Sequence, residues 1–396
     1  MTSRFALFVF AAATLSSCKR ASPATADAGV SKASEATREG VLRGIGECVA
    51  AEVASFATKA AAFEQKAKSA TSAPSDVTRK EAQEAWAAAI DQWERLEVMQ
   101  FGPAATKSHP GGQDLRGSIY AWPLTSRCLI DQQIVSKAYA ETTFSTSLTS
   151  SRGLGAAEYL LYYTPADNGC SAGANINTDG TWNALGAAEI AARRLSYAGA
   201  VSSDVMSTAK TLNAAWDPAQ GNFVNELVKS VHGSATYKTD QVAFNAVSDA
   251  LFYVEADVKD MKLAQPLGIL NCTTPTCPEA VESPYAKRSL VHIVNNLAGF
   301  RTLFFGCGEG SALAFDDLLN AVGASDTTAS VKAALTEAET ALASITSPDL
   351  ETAITQENDK LRAVHAALKK LADTLKTEFR TVLDLDLPQR VEGDND

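Results

Sequence analysis

The chain has 396 residues, of which 46% are hydrophobic and 20% are charged. These fractions exclude a disordered protein, since such proteins carry fewer apolar and more charged residues, and they predict a substantial folded core. The net charge of −11 repels phosphate backbones, so we expect no nucleic-acid partner. The sequence has four histidines and no HExxH, which excludes the commonest zinc-protease motif.

Residues 1–18 have the pattern of an export signal. One cation precedes an apolar run over 5–15, which is too short to span a bilayer and suits a secretory signal peptide. The sequence LSSC at 15–18 resembles a bacterial lipobox, in which cleavage leaves an acylated cysteine at the new N-terminus. We therefore predict a signal peptide over 1–18, a lipid anchor on Cys18 and attachment to the membrane through it. Lys19 favours the outer membrane of the cell envelope, facing the periplasm or the cell surface. The alternative is an ordinary signal peptide with an incidental Cys18.

Residues 19–38 are rich in Ala, Ser and Thr and have no apolar periodicity. Such a segment cannot bury enough apolar surface to fold, so we predict a flexible tether. The folded part is expected to begin near residue 39.

Six cysteines remain beyond the predicted anchor. An exported protein enters an oxidising compartment, and an even number of cysteines predicts up to three disulfides with the pairing left open. Cys272 and Cys277 flank a short loop that contains proline, so they form the pair that closes most easily. A metal site is the alternative, but the tight C-x2-C spacing is absent. The disulfide candidates are Cys48, Cys128, Cys170, Cys272, Cys277 and Cys307.

Apolar residues recur every three and four positions along most of the chain, which predicts an all-α fold. Ser75 or Asp76 is expected to cap the second helix, which ends near Met99, and a later helix is expected to start near Pro123. The helices are predicted over 41–68, 76–99, 123 onward, 154–162, 181–198, 201–215, 221–231, 239–263, 284–304, 311–321, 327–345 and 349–382.

The long polar loop over 164–180 suggests a division near residue 170. We predict two helical bundles that share an interface, the first over 39–170 and the second over 171–385. Residues 386–396 form a predicted acidic tail.

Glu158 is the one carboxylate in the apolar segment GLGAAEYLL at 153–161. Burying a lone carboxylate is costly unless a cation, a hydrogen bond or a metal compensates it. Gly155 precedes it by three residues, so both lie on one face of the helix. We therefore expect a functional position at Glu158.

The sequence is similar here to the imelysin-like family of bacterial envelope proteins, which is named after an insulin-cleaving membrane protease and is related to periplasmic iron-uptake proteins. The family hallmark G-x-H-x-x-E aligns with 153–158, but Gly155 stands where the family has histidine. Three further segments match family blocks in the same order. These are the Trp, Glu and Gly-Pro block at 86–103, IYAWPL at 119–124 and KLAQPLG at 262–268.

This resemblance implies two helical bundles, with the hallmark residues near the interface between them. Because glycine has no ligand atom, Gly155 removes the nitrogen donor, and Glu158 alone would bind a divalent metal or iron weakly. The expected function is therefore a non-catalytic, envelope-anchored binding protein linked to uptake of iron or another small ligand, or to an envelope protein partner. The expected residues lining its interface cleft are Glu158, Gly155, Glu97, Asp114 and Arg116, with a structural Glu158–Arg116 ion pair as the alternative.

Two other functions stay open. Metal binding persists if a histidine from elsewhere, such as His292 or His109, reaches the space left by Gly155. A metallopeptidase is the third hypothesis, but a hydrolase needs a metal or a nucleophile to activate water, and the sequence displays neither.

Overall fold

A computed structural model describes residues 36–308 and 310–392. The predicted signal peptide, Cys18, nearly all of the predicted tether and residues 393–396 lie outside the described residues.

Within the described ranges every regular element is helical, which confirms the all-α prediction. The α-helices are α1 (Arg38–Ser72), α2 (Asp76–Glu97), α3 (Leu115–Ile119), α4 (Arg127–Ser136), α5 (Gly153–Tyr162), α6 (Asn175–Thr178), α7 (Gly186–Trp216), α8 (Phe223–Lys229), α9 (Asp240–Leu251), α10 (Ser289–Phe305), α11 (Phe315–Ala321), α12 (Ser325–Ala343), α13 (Leu350–Gln356), α14 (Asn358–Thr374) and α15 (Arg380–Leu383).

Two groups of helices pack side by side. In the first, the long helix α1 lies between α2 and α7, and α5 packs against α2 and α7. In the second, α14 packs against α12 and against a π-helix over Val254–Ala264. Helix α10 contacts α2 of the first group and the π-helix of the second. The buried charges described below lie along this contact between α2, the π-helix and α10.

Several helix boundaries differ from the predicted ones. Helices predicted over 181–198 and 201–215 are one helix, α7, because Gly199 lies in a close contact rather than at a break. A Cβ atom at Gly199 would lie 2.8 Å from Thr71 Oγ1 on α1, so glycine lets the two helices approach closely. The helix predicted near Pro123 begins instead at Arg127, where the Ser126 side chain accepts a hydrogen bond from Leu129 N and caps it.

The C-terminal helices are more segmented than predicted. The segment 239–263 divides into α9 and the π-helix, and the single helix predicted over 349–382 divides into α13, α14, a short π-helical turn over Leu375–Phe379 and α15. A π-helix occurs mostly as a short stretch inside an otherwise α-helical segment, so the overall helical pattern of the sequence did not locate it. No described helix is both long enough and apolar enough to cross a bilayer.

The predicted division near residue 170 stays a prediction. Helix α7 follows that position in the sequence and packs on α1 and α5. In the predicted tail, Val391 is buried and Arg390 lies 3.5 Å from Asp257.

All six cysteines beyond Cys18 form disulfides, which confirms the predicted oxidised state. The local pair Cys272–Cys277 forms as expected. The two longer connections are Cys48–Cys307, which ties α1 to the end of α10, and Cys128–Cys170, which ties α4 to the 164–180 loop.

Candidate functional site

A cavity of about 280 Å³ lies beside the segment that aligns with the family hallmark. Its wall is formed by the chain over 120–130, by α5 and by the loop over 265–285. Both Gly155 and Glu158 line it, so the two hallmark positions face one space. The other polar and aromatic residues of the wall include Tyr120, Trp122, Thr125, Arg127, Tyr159, Gln265, Glu279, Glu282 and Tyr285.

Glu158 is almost fully buried and is held by hydrogen bonds to one of its oxygens. Oε1 accepts from Ser283 Oγ at 2.9 Å and from the backbone N–H groups of Tyr285 at 3.0 Å and Ala286 at 2.9 Å. Its Oε2 has no hydrogen-bond partner among the described residues. Burial raises the pKa of Glu158, and the three donors together with the charge of the nearby His292 oppose that rise. Hydrogen bonds, rather than a cation in contact with the carboxylate, therefore meet most of the cost of burying it.

The space next to Gly155 is occupied by Thr125. A Cβ atom at Gly155 would lie 2.5 Å from Thr125 Oγ1, so a larger residue could enter only if Thr125 moved. The Thr125 hydroxyl is buried and has no hydrogen-bond partner among the described residues. Gly155 supplies no donor atom and Glu158 has one uncommitted oxygen, so these two residues together offer a metal a single ligand atom.

Arg127 brings a positive charge to the cavity, but other residues already compensate it. Its guanidinium donates to Asp167 at 2.8 Å and to the Tyr159 hydroxyl at 3.1 Å. It also stacks 4.1 Å from the centre of the Tyr163 ring. The remaining charged side chains of the wall, Glu158, Glu279 and Glu282, are acidic.

Behind the cavity, the structure buries a second group of charged residues, which we call the inner cluster: Glu94, Lys262, Glu282, His292 and Asn296. All five are fully buried or nearly so. Lys262 Nζ lies 2.6 Å from Glu94 Oε2, 2.9 Å from Glu282 Oε1 and 2.9 Å from Asn296 Oδ1. Glu282 belongs to the inner cluster and to the cavity wall, so it connects the two.

His292 faces the opposite side of the same two carboxylates. Its Nδ1 lies 3.3 Å from Glu94 Oε1 and 3.1 Å from Glu282 Oε2. Each carboxylate therefore directs one oxygen at Lys262 and the other at His292.

The two glutamates of the inner cluster differ in proton affinity. Burial and the neighbouring Glu282 raise the pKa of Glu94 to about 7. Burial alone would raise the pKa of Glu282, but Lys262 and His292 lower it to about 2. Burial would lower the pKa of His292, but Glu94 and Glu282 raise it above its ordinary value. A proton in this cluster is therefore held by Glu94 and His292 rather than by Glu282.

The remaining predicted residues lie away from the cavity wall. Glu97 is fully buried; it accepts from Arg116 at 3.0 Å, from the Tyr253 hydroxyl at 2.9 Å and from Trp93 Nε1. Arg116 thus pairs with Glu97 rather than with Glu158. Asp114 is exposed and forms a 3.1 Å ion pair with Lys107.

Of the two histidines considered as replacement ligands, His109 is exposed and lines a different cavity. His292 is buried but contacts Glu94 and Glu282, not the space beside Gly155. Glu94 and Lys262 lie within the family-like segments at 86–103 and 262–268 but were not predicted as site residues, and neither was Glu282. These residues are far apart in the sequence, and no local spacing relates them.

Comparison with known proteins extends these observations. A family model described as Imelysin (Peptidase_M75) matches residues 49–377. One similar solved structure is an iron-regulated protein A precursor from Parabacteroides distasonis, with 17% identity, a TM-score of 0.66 and coverage of 87% of this chain and 95% of that chain. Another is an imelysin-like protein from Psychrobacter arcticum, with 17% identity, a TM-score of 0.66 and coverage of 89% and 96%. No curated protein matches the sequence. The two structures confirm the fold, and because the family model spans most of the sequence, the chain belongs to the imelysin family.

Proposed function

We propose that this protein is an envelope lipoprotein that binds a small, positively charged ligand in the cavity around Glu158 and catalyses no reaction on it. The observation that carries the proposal is the Glu158 carboxylate in the cavity wall, with three hydrogen bonds to one oxygen and none to the other. The three donors fix its orientation, so the second oxygen is available for a ligand without rearrangement.

The composition of the cavity wall favours a cation. Glu158, Glu279 and Glu282 contribute negative charge, whereas the charge of Arg127 is compensated by Asp167. The wall also contains the aromatic rings of Tyr120 and Tyr285, and aromatic rings attract cations through their faces. A cavity of this volume suits a small organic cation or a hydrated metal ion.

The absence of an imidazole beside Glu158 supports a binding role over hydrolysis. The residues that line the cavity in the described part of the chain include neither histidine nor cysteine. Activation of water by a protein-bound metal needs more than one carboxylate oxygen to hold the ion. The metallopeptidase hypothesis therefore has no support from the residues around Glu158.

The cellular context of the proposal comes from the N-terminal sequence and the comparisons. The lipobox-like sequence at 15–18 supports anchoring through Cys18 at the outer membrane. The description of the Parabacteroides neighbour refers to iron regulation, and we carry that context over as a role in iron-related uptake. A second envelope protein that delivers the ligand to this protein, or receives it, is the partner that such a role implies.

The binding proposal predicts that Glu158→Gln weakens cation binding at least about tenfold, because a hydrogen bond to a charged group contributes about 1.5–3 kcal/mol. The amide oxygen of Gln can still accept the three hydrogen bonds, so the fold is retained while the charge is lost. Calorimetric titration with spermidine and with hexaamminecobalt(III) tests an organic cation and a mimic of a hydrated metal ion separately.

The matched control is Glu141→Gln, which removes one negative charge from an exposed site. It should leave binding of both probes unchanged. Equal binding by the wild type and Glu158→Gln, or no binding of either probe by the wild type, would contradict the proposed ligand class.

The anchoring proposal predicts that Cys18→Ala transfers the protein from the membrane fraction to the soluble fraction of the envelope. The physical reason is that several acyl chains hold a protein on a bilayer firmly, and the substitution removes their attachment site. Fractionation after metabolic labelling with palmitate measures both effects. A variant that stays in the membrane fraction, or a wild type that incorporates no palmitate, would contradict a lipid anchor on Cys18.

A further inference from the structure

Three polar atoms of the inner cluster converge without hydrogen-bond partners. They are Glu94 Oε1, Glu282 Oε2 and His292 Nδ1, and all three are buried. His292 Nδ1 is 3.3 Å from Glu94 Oε1 and 3.1 Å from Glu282 Oε2, and the three residues each offer one ligand atom within 4.8 Å of the other two. Unpartnered buried polar atoms are costly, so three that face one point need an explanation.

The distances fit a coordination sphere. Transition metals bind imidazole nitrogen and carboxylate oxygen at about 2.0–2.2 Å, which places neighbouring ligand atoms about 3.0–3.5 Å apart. The distances from Nδ1 to Glu94 Oε1 and Glu282 Oε2 fall in this range. The other oxygen of each carboxylate is held by Lys262, so each glutamate offers one oxygen in a fixed direction.

The net charge of the buried residues around the cluster also favours a divalent cation. Four buried glutamates (Glu94, Glu97, Glu158 and Glu282) lie close enough to Tyr120 to act on it electrostatically. Two of them contact Lys262, and Glu97 contacts Arg116. Metal binding displaces the proton held by Glu94 and His292, and with His292 neutral and all four glutamates ionised, Lys262 and Arg116 leave two negative charges. One divalent ion would balance them.

We propose that Glu94, Glu282 and His292 bind one divalent transition-metal ion of the Zn²⁺ and Fe²⁺ class. One imidazole and two carboxylates suit these ions, whereas Ca²⁺ and Mg²⁺ prefer oxygen ligands alone. The site is separate from the position beside Gly155, and Glu158 is not a ligand. Glu282 lines the cavity, so an ion can reach the cluster from that side. The inference goes beyond the proposed function, since it requires no cavity ligand.

The test is a calorimetric titration of the chelator-stripped, full-length protein with Zn²⁺. We expect one ion per chain and an affinity at least about 100-fold lower in His292→Gln, since loss of a single outer-shell partner already costs about 10–100-fold. His109→Gln is the matched control, because His109 is exposed and away from the cluster, and it should bind as the wild type does. Failure of stripped wild-type protein to take up Zn²⁺ would overturn the inference.

Glu158→Gln separates this site from the cavity. Retained Zn²⁺ affinity in Glu158→Gln supports the inner site, whatever that variant does to spermidine binding. Loss of Zn²⁺ in Glu158→Gln together with retention in His292→Gln would place the metal in the cavity and overturn the inference.

X-ray absorption of the wild-type zinc complex needs no variant and covers the case in which His292→Gln fails to fold. One imidazole with oxygen ligands is the expected first shell, and a shell without imidazole would overturn the assignment.

Discussion

Lys262→Met is expected to lower the free energy of unfolding by about 3–5 kcal/mol, the cost typical of removing one partner of a buried ion pair. Lys262 contacts Glu94 and Glu282 at 2.6 Å and 2.9 Å, and all three side chains are fully buried. Methionine fills a similar volume but leaves two carboxylates in the interior without their cation. Urea denaturation followed by circular dichroism at pH 7 in the presence of chelator measures the change.

Lys66→Met is the matched control for that substitution. Lys66 forms a 2.9 Å ion pair with Glu81, but both side chains are exposed. Exposed pairs contribute at most about 1 kcal/mol, because water screens the attraction. If Lys262→Met proves no more destabilising than Lys66→Met, the buried contacts of Lys262 do not stabilise the fold.

The helical fold was predictable because it depends on short-range periodicity. The three-and-four spacing of apolar residues and the polar position at Ser75 were sufficient for the second helix, which Ser75 caps as expected. The continuity of α7 through Gly199 was not predictable in this way. It depends on how closely α7 approaches Thr71 on another helix, and a single sequence does not contain that distance.

The part of the candidate site that depends on local sequence was predictable, and the part that depends on long-range packing was not. Glu158 stood out because it is a lone charge in an apolar segment, and it does lie in the cavity wall. Glu94 was harder to identify, since it lies among other charged residues of α2 and resembles a solvent-exposed glutamate. Its burial arises only when α10 packs against α2 and Lys262 of the π-helix contacts the carboxylate. Long-range packing, rather than local sequence, creates the inner cluster.

In the resemblance to the family, Gly155 aligns with the hallmark histidine, and it offers no ligand atom. The glycine still faces the cavity, but Thr125 Oγ1 occupies the volume into which a side chain at 155 would extend. The buried imidazole of His292 contacts the carboxylates of Glu94 and Glu282 instead of the space beside Gly155. The proposed metal-ligating residues and the hallmark position are therefore different parts of one acidic region.

Stability of the metal-free protein is expected to fall as pH rises from about 5 to 8. The pKa of Glu94 is about 7 in the folded chain and ordinarily 4.5, so between these values the folded state holds a proton that the unfolded state has lost. Protons therefore favour folding in this window, and the full shift corresponds to on the order of 3 kcal/mol. The raised pKa of His292 acts in the same direction: its contribution is present below about 6.5 and is lost as pH rises through the folded-state pKa. The lowered pKa of Glu282 acts only below 4.5 and lies outside the window.

Urea unfolding at pH 5, 6, 7 and 8 with chelator present measures this slope. Asp249, whose pKa burial raises to about 6, contributes in the same direction, so the wild-type slope alone does not identify the cluster. Glu94→Gln does identify it, because the amide does not titrate, and its stability should vary less with pH than that of the wild type. Glu81→Gln changes an exposed carboxylate and should keep the wild-type slope. An unchanged slope in Glu94→Gln would show that Glu94 does not hold the proton in the folded chain.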